Sequence, residues 1–112
     1  MGEAIKVSLN IQDTVERIEH AIVDGSITGV CIDSYELTAP NGGDCAVRIY
    51  EKHYYRAGNR LTLTVVADNF EGTTRIHCTS GGGGEGLFRF DWGASESFSS
   101  IVFQTLEPYR IE

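Results

Sequence analysis

The chain is short of cations, of paired cysteines and of long apolar runs, and each shortage argues against a class of function. Nine Lys and Arg stand against 16 Asp and Glu, a formal net charge of −7. Duplex nucleic acid is held mainly through phosphate neutralisation, so this acid excess argues against a duplex-binding protein. The three cysteines, Cys31, Cys45 and Cys78, are odd in number and form no Cys-x-x-Cys pair. That pattern disfavours both a disulfide framework and a structural zinc site, and a reducing cytoplasm is the expected setting. No apolar run approaches the ~20 residues of a membrane span, so no membrane partner is expected. The start Met1-Gly2-Glu3-Ala4-Ile5-Lys6 has neither the basic opening nor the apolar stretch of a secretory signal, and Lys6 stands where myristoylation wants Ser or Thr. No Ser-His-Asp order, nucleophile elbow or metal-ligand spacing occurs, and no metal or cofactor is expected.

What the chain does have is the composition of one domain spanning residues 1–112, with 41% hydrophobic and 22% charged residues. Ile5, Val7 and Leu9 alternate with Lys6 and Ser8, which predicts a strand. Asp13 as N-cap, Glu16 three residues on, and Ile11, Val15, Ile18 and Ile22 at helical spacing predict a helix over about 14–24, closed at Gly25. Residues 28–38 are β-branched and aromatic and read as a strand that ends at the turn formers 39–44.

The next two strands can be registered by pattern. Putting Val47, Ile49 and Tyr55 on one face with Leu61, Leu63 and Val65 requires a three-residue loop, residue 56 opposite 60 and Arg48 opposite Asp68. A further strand over about 73–80 brings Ile76 and Cys78 to the same inner face if 65 lies opposite 76. Ser80 then falls beside Leu61 and Tyr55, and Cys78 is a small core residue. After the glycine-rich loop Ser80 to Gly86, Phe88, Phe90 and Trp92 alternate with Arg89 and Asp91 as a sixth strand. Phe98, Ile101, Val102 and Leu106 form the stripe of a last helix, capped at Ser95 or Ser97 and stopped by Pro108. The expectation is an α+β fold of two layers, an antiparallel sheet of about six strands with two helices on one face, in the order β-α-β-β-β-β-β-α.

Two faces of one strand supply the candidate sites. Residues 45–77 carry five cations against three carboxylates in an otherwise acidic chain. Here Arg48, Tyr50, Lys52, Tyr54 and Arg56 alternate onto what the register makes the outer face, with Arg60 opposite Arg56. Such a strip suits self-association, a homodimer being the simplest form, or an acidic partner. On the other face Glu51 and His53 fall among apolar neighbours, where a carboxylate and an imidazole can act as acid and base. With Tyr55, Ser80, Phe88 and Phe90 they would line a pocket between sheet and helices for a small anionic or apolar ligand. The glycine loop lacks the Lys-Ser/Thr ending of a phosphate loop and places Glu85 where positive charge is wanted. It is expected to close a hairpin instead.

Cys45-Ala46-Val47-Arg48-Ile49-Tyr50-Glu51-Lys52, the turn Gly58-Asn59-Arg60, and Ser80-Gly81-Gly82-Gly83 leading to an aromatic strand and a helix with Glu96 and Phe98 together resemble the small bacterial proteins grouped as domain of unknown function 6054. The resemblance covers nearly the whole chain and implies a short cytoplasmic bacterial protein of the same plan. It implies no activity. On these grounds the expected function is a non-catalytic binding or self-association module, with an enzyme using Glu51 and His53 as the alternative.

Overall fold

The computed structural model describes residues 3–54, 59–82 and 92–112. Five strands, β1 (Glu3–Val7), β2 (Val30–Thr38), β3 (Asp44–Tyr54), β4 (Asn59–Asp68) and β5 (Thr74–Gly82), form one antiparallel sheet in the order β1-β5-β4-β3-β2. Two helices, α1 (Ile11–Glu19) and α2 (Trp92–Leu106), pack on it. The α+β class holds with five strands. The expected sixth strand lies on residues outside the described ones except for Trp92, which opens α2.

Helix α1 starts three residues earlier than its pattern suggests because Asn10, not Asp13, is the cap. The Asn10 side chain accepts from the Asp13 N–H at 2.7 Å, and the Thr14 hydroxyl donates to the Asn10 carbonyl at 2.7 Å. After Glu19 the helix widens into a π-helical turn, His20–Asp24, which keeps Ile22 in the core beside Ile18 and ends where the Gly25 N–H meets the His20 carbonyl. On α2, Phe98, Val102 and Leu106 recur every four residues and are fully buried.

The pairing of β3 with β4 departs from expectation in a way that changes the protein's surface. Tyr50 lies opposite Leu63, Val47 opposite Val66 and Tyr54 opposite Asn59. Arg48 is therefore opposite Val65, and Asp68 instead faces Arg75 across the β4–β5 pair, joined by two 3.1 Å hydrogen bonds. An odd offset between expected and observed register turns every side chain of β3 to the other face. The cause is packing. β3 is apolar on both sides, with Val47 and Ile49 on one and Ala46 and Tyr50 on the other. Facing Tyr50 inward buries the larger side chain, and small Ala46 makes room beneath α1. β5 shifts by two residues, Val65 opposite Cys78, so Ile76 and Cys78 stay inside as expected.

The core thus lies between the helices and Leu61, Leu63, Val65, Ala67, Ile76, Cys78 and Tyr50. The sheet's two edges differ. β1 is covered by the chain's own last residues: Ser8 N–H donates to Tyr109 O at 2.8 Å, Ile111 N–H to Lys6 O at 2.8 Å, and Lys6 N–H to Glu112 O at 3.2 Å. β2, at the other edge, pairs among the described residues with β3 alone.

Candidate functional site

The reversal of β3 relocates both expected sites. Tyr50 is wholly buried, its hydroxyl donating to Glu19 Oε1 at 3.4 Å. Arg48 and Lys52 face the helix side with it, and Arg60 faces the other way, where it pairs with Glu51 at 3.3 Å. The strip Arg48, Tyr50, Lys52 is therefore no outer surface. Arg56 and the side chain of Tyr54 lie outside the described residues. Glu51 and His53, expected in a pocket under the helices, stand on the sheet face away from them, in the row of Val47 and Ile49. They therefore do not line a sheet–helix pocket. Thr28 bridges the His53 peptide, accepting from its N–H at 3.1 Å and donating to its carbonyl at 3.3 Å. Ser80 does face α2, with its hydroxyl 3.4 Å from that of Ser99. Tyr55, Phe88 and Phe90 lie outside the described residues.

Burial first, and the Glu19 carboxylate second, push the Tyr50 hydroxyl far above its ordinary range. Its neutral form is the one the fold tolerates. Stability linked to Tyr50 is thus complete below about pH 10, the unfolded value, and is lost as pH rises beyond it. Tyr50→Phe is expected to flatten the alkaline arm of a Tm-against-pH curve between about pH 10 and 12, with little change at pH 7 beyond one lost hydrogen bond. An unchanged alkaline arm would sink this assignment.

The surface that emerges instead lies at the β2 edge. Val30, Ile32, Tyr35 and Leu37 are 45–56% exposed. On the outer face of the sheet, Tyr35 lies opposite Val47 and Leu37 opposite Cys45, and half-buried Val47, Ile49 and Val66 extend the apolar area inward. The opposite end of that face is charged: Lys6 and Arg75 bridge to Glu71 at 3.5 and 3.2 Å, and Arg75 also holds Asp68. Apolar surface therefore collects around Tyr35, Leu37 and Val47 at one end of the open edge, while at its other end Glu51, opposite Val30, pairs with Arg60. A bulge between Cys31 and Asp33 leaves Asp33 to Thr38 as a regular run. Sequence reasoning missed this area because it assigned Val47 and Ile49 to the core. No local pattern in residues 30–38 marked it, since eight of the nine are exposed in the fold and their composition suits a central strand as well.

A family described as a family of unknown function, DUF6054, matches residues 3–110 of the chain. The chain belongs to the DUF6054 family. No curated protein and no solved structure matches it.

In this DUF6054 chain an open groove of about 500 Å³ also runs between α1 and the β2–β3 pair, walled by Ile11, Val15 and Glu16 and floored by Ala46 and Arg48. The Arg48 guanidinium, 13% exposed, donates to Glu36 Oε2 at 2.9 Å and to the Val47 carbonyl at 3.1 Å. Glu36 itself is 68% exposed. The two thiols nearby are poor nucleophiles: burial, then Glu19, raises Cys31, and burial, then Asp68, raises Cys45. Among the described residues no group of three or more His, Cys, Asp or Glu is placed to hold a metal ion, and no helix is long and apolar enough to cross a membrane.

Proposed function

We propose that this protein is a non-catalytic association module that docks a partner along the open β2 edge. The observation that carries the reading is the contrast between the two edges. The chain spends its own residues 109–112 on covering β1, whereas among the described residues no strand lies on the outer side of β2, which presents Val30, Ile32, Tyr35 and Leu37. Proteins usually blunt such an edge with charged side chains, lysine above all, with proline, a bulge or a covering element. Of these β2 has Asp33, Glu36 and the bulge before its regular run. β2 carries neither lysine nor proline. An incoming strand would satisfy the edge backbone, and its side chains would rest on Tyr35, Leu37 and Val47. A small anion is less well served: the α1–β2 groove holds one cation, Arg48, against Glu16, Glu36 and Asp44.

The neutral dye Nile red tests whether this side of the sheet is available. The wild-type chain is expected to brighten the dye, and Leu37→Lys to reduce that signal several-fold with Tm nearly unchanged, because an exposed side chain carries little folding energy. Dye left dark by the wild type, or brightened equally by both proteins, overturns the reading.

A further inference from the structure

We infer that the occupant of the β2 edge is a second copy of this chain, added antiparallel about a two-fold axis through Tyr35; the inference rests on the association reading above. Symmetry limits the choices. A two-fold axis perpendicular to the sheet makes a ten-stranded sheet from two five-stranded ones and leaves each side chain on its own face. Directly opposed residues then belong to the same face, so their numbers add to an even total in the regular part of β2.

Charge and regularity then separate the even registers. Centring on Asp33 opposes two aspartates, and centring on Glu36 opposes two glutamates, both of which repel. Centring on Ser34 avoids this but carries the pairing into the bulge at Cys31 and Asp33 after a few residues. Centring on Leu37 pairs three residues before β2 ends at Thr38, whereas centring on Tyr35 pairs five of the bulge-free run, 33–37: Tyr35 with Tyr35, Ser34 with Glu36, Asp33 with Leu37. No like charges meet. The two tyrosines, each 56% exposed in the single chain, form an aromatic cross-strand pair that joins the two apolar outer patches.

The inner face supplies charge complementarity. Ser34 lies opposite Arg48 within one chain, and in this register it also lies opposite Glu36 of the second copy. Glu36 of the second copy, Ser34 and Arg48 therefore stand in one row across three strands, the glutamate and arginine backbones about 9.5 Å apart. Small Ser34 between them leaves the two long side chains free to meet above it. Each Arg48 already holds its own Glu36 at 2.9 Å, and the axis repeats the contact. Two arginines and two glutamates thus alternate at the seam, placing cations between the carboxylates of molecules that each carry a net charge of −7.

The test combines sedimentation with cysteine cross-linking on the full chain, using Cys31→Ser with Cys45→Ser as background for the cross-links. The wild type is expected to show a concentration-dependent monomer–dimer equilibrium. Tyr35→Lys, which opposes two cations at the axis, is expected to weaken it about tenfold or more with an unchanged circular dichroism spectrum. Under mild oxidation Tyr35→Cys is expected to form a disulfide dimer, and Asp33→Cys and Glu36→Cys are not. A dimer that cross-links through position 33 or 36 and not through 35 overturns this arrangement. A chain that stays monomeric at millimolar concentration overturns the second copy as occupant. If such a monomer still brightens Nile red in a Leu37-dependent way, the open edge belongs to a different partner; if it does not, the association reading falls as well.

Discussion

Replacing Tyr50 with alanine is expected to remove about 3–5 kcal/mol of folding stability, the usual cost of truncating a fully buried large aromatic. Tyr50 has no exposed surface and sits opposite Leu63 in the centre of the sheet, beneath α1. Its loss removes apolar contact on the helix side and leaves the Glu19 carboxylate without the hydroxyl that donates to it at 3.4 Å. The comparison that makes the result decisive is Tyr35→Ala, on the neighbouring strand and 56% exposed. That change is expected to cost no more than about 0.5 kcal/mol of monomer stability. Urea unfolding of both variants at a concentration that keeps the chain monomeric reads the difference directly. Equal losses would mean that β3 does not turn Tyr50 inward, and the assignment of the outer face would fall with it.

The two tyrosines also show why the sequence disclosed the fold better than the surface. Most strands were legible because their apolar residues lie on one side only: Leu61, Leu63 and Val65 in β4, Ile76 and Cys78 in β5, Ile5 and Val7 in β1. Each of these points inward as its alternation predicts. The stripe Phe98, Val102 and Leu106 was legible for the same reason. β3 has no such asymmetry. Val47 and Ile49 compete with Ala46 and Tyr50, and local pattern ranks the β-branched pair as the more strand-like core. What decides the matter is how the strand fits under a helix, a tertiary quantity that alternation does not encode. A single odd shift in register then exchanged the expected pocket and the expected interface, placing Glu51 and His53 outside and Tyr50 inside. The helix cap failed on a smaller scale: Asp13 with Glu16 has the spacing of a capping box, yet Asn10 bonds to the Asp13 N–H and starts the helix earlier.

The open edge was hidden for a further reason. β2 is rich in Val, Ile, Tyr and Leu, a composition that suits a central strand as well as an edge one. Only strand order distinguishes them, and order depends on β1 returning to pair with β5. Once β1 takes that place, β2 is left terminal with an apolar outer row. The ion pairs of Lys6, Glu71 and Arg75 then mark the covered end of the sheet, and the apolar surface around Tyr35, Leu37 and Val47 lies away from them on the same face.

Phe98→Ala is expected to cost as much as Tyr50→Ala, about 3–5 kcal/mol, while leaving the β2 surface as it is. Phe98 is fully buried on α2 and belongs to the cluster that contains Ile18 and Ile22 of the first helical segment and Leu63 and Cys78 of the sheet. Val102 and Leu106 continue its stripe toward the C-terminal residues that cover β1. The cavity left by the ring lies between layers that both helices hold in place, so little collapse can relieve it. A Tm lowered by roughly 10 °C or more is the corresponding thermal readout for a domain of this size. Because Phe98 packs on the face opposite Tyr35 and Leu37, the folded fraction of this variant should retain the Nile red response of the wild type. A variant that keeps its stability would show that α2 does not anchor the core. One that loses dye binding in proportion to stability would instead couple the β2 surface to the helix layer, against the separation of core and contact face that the strand order produces.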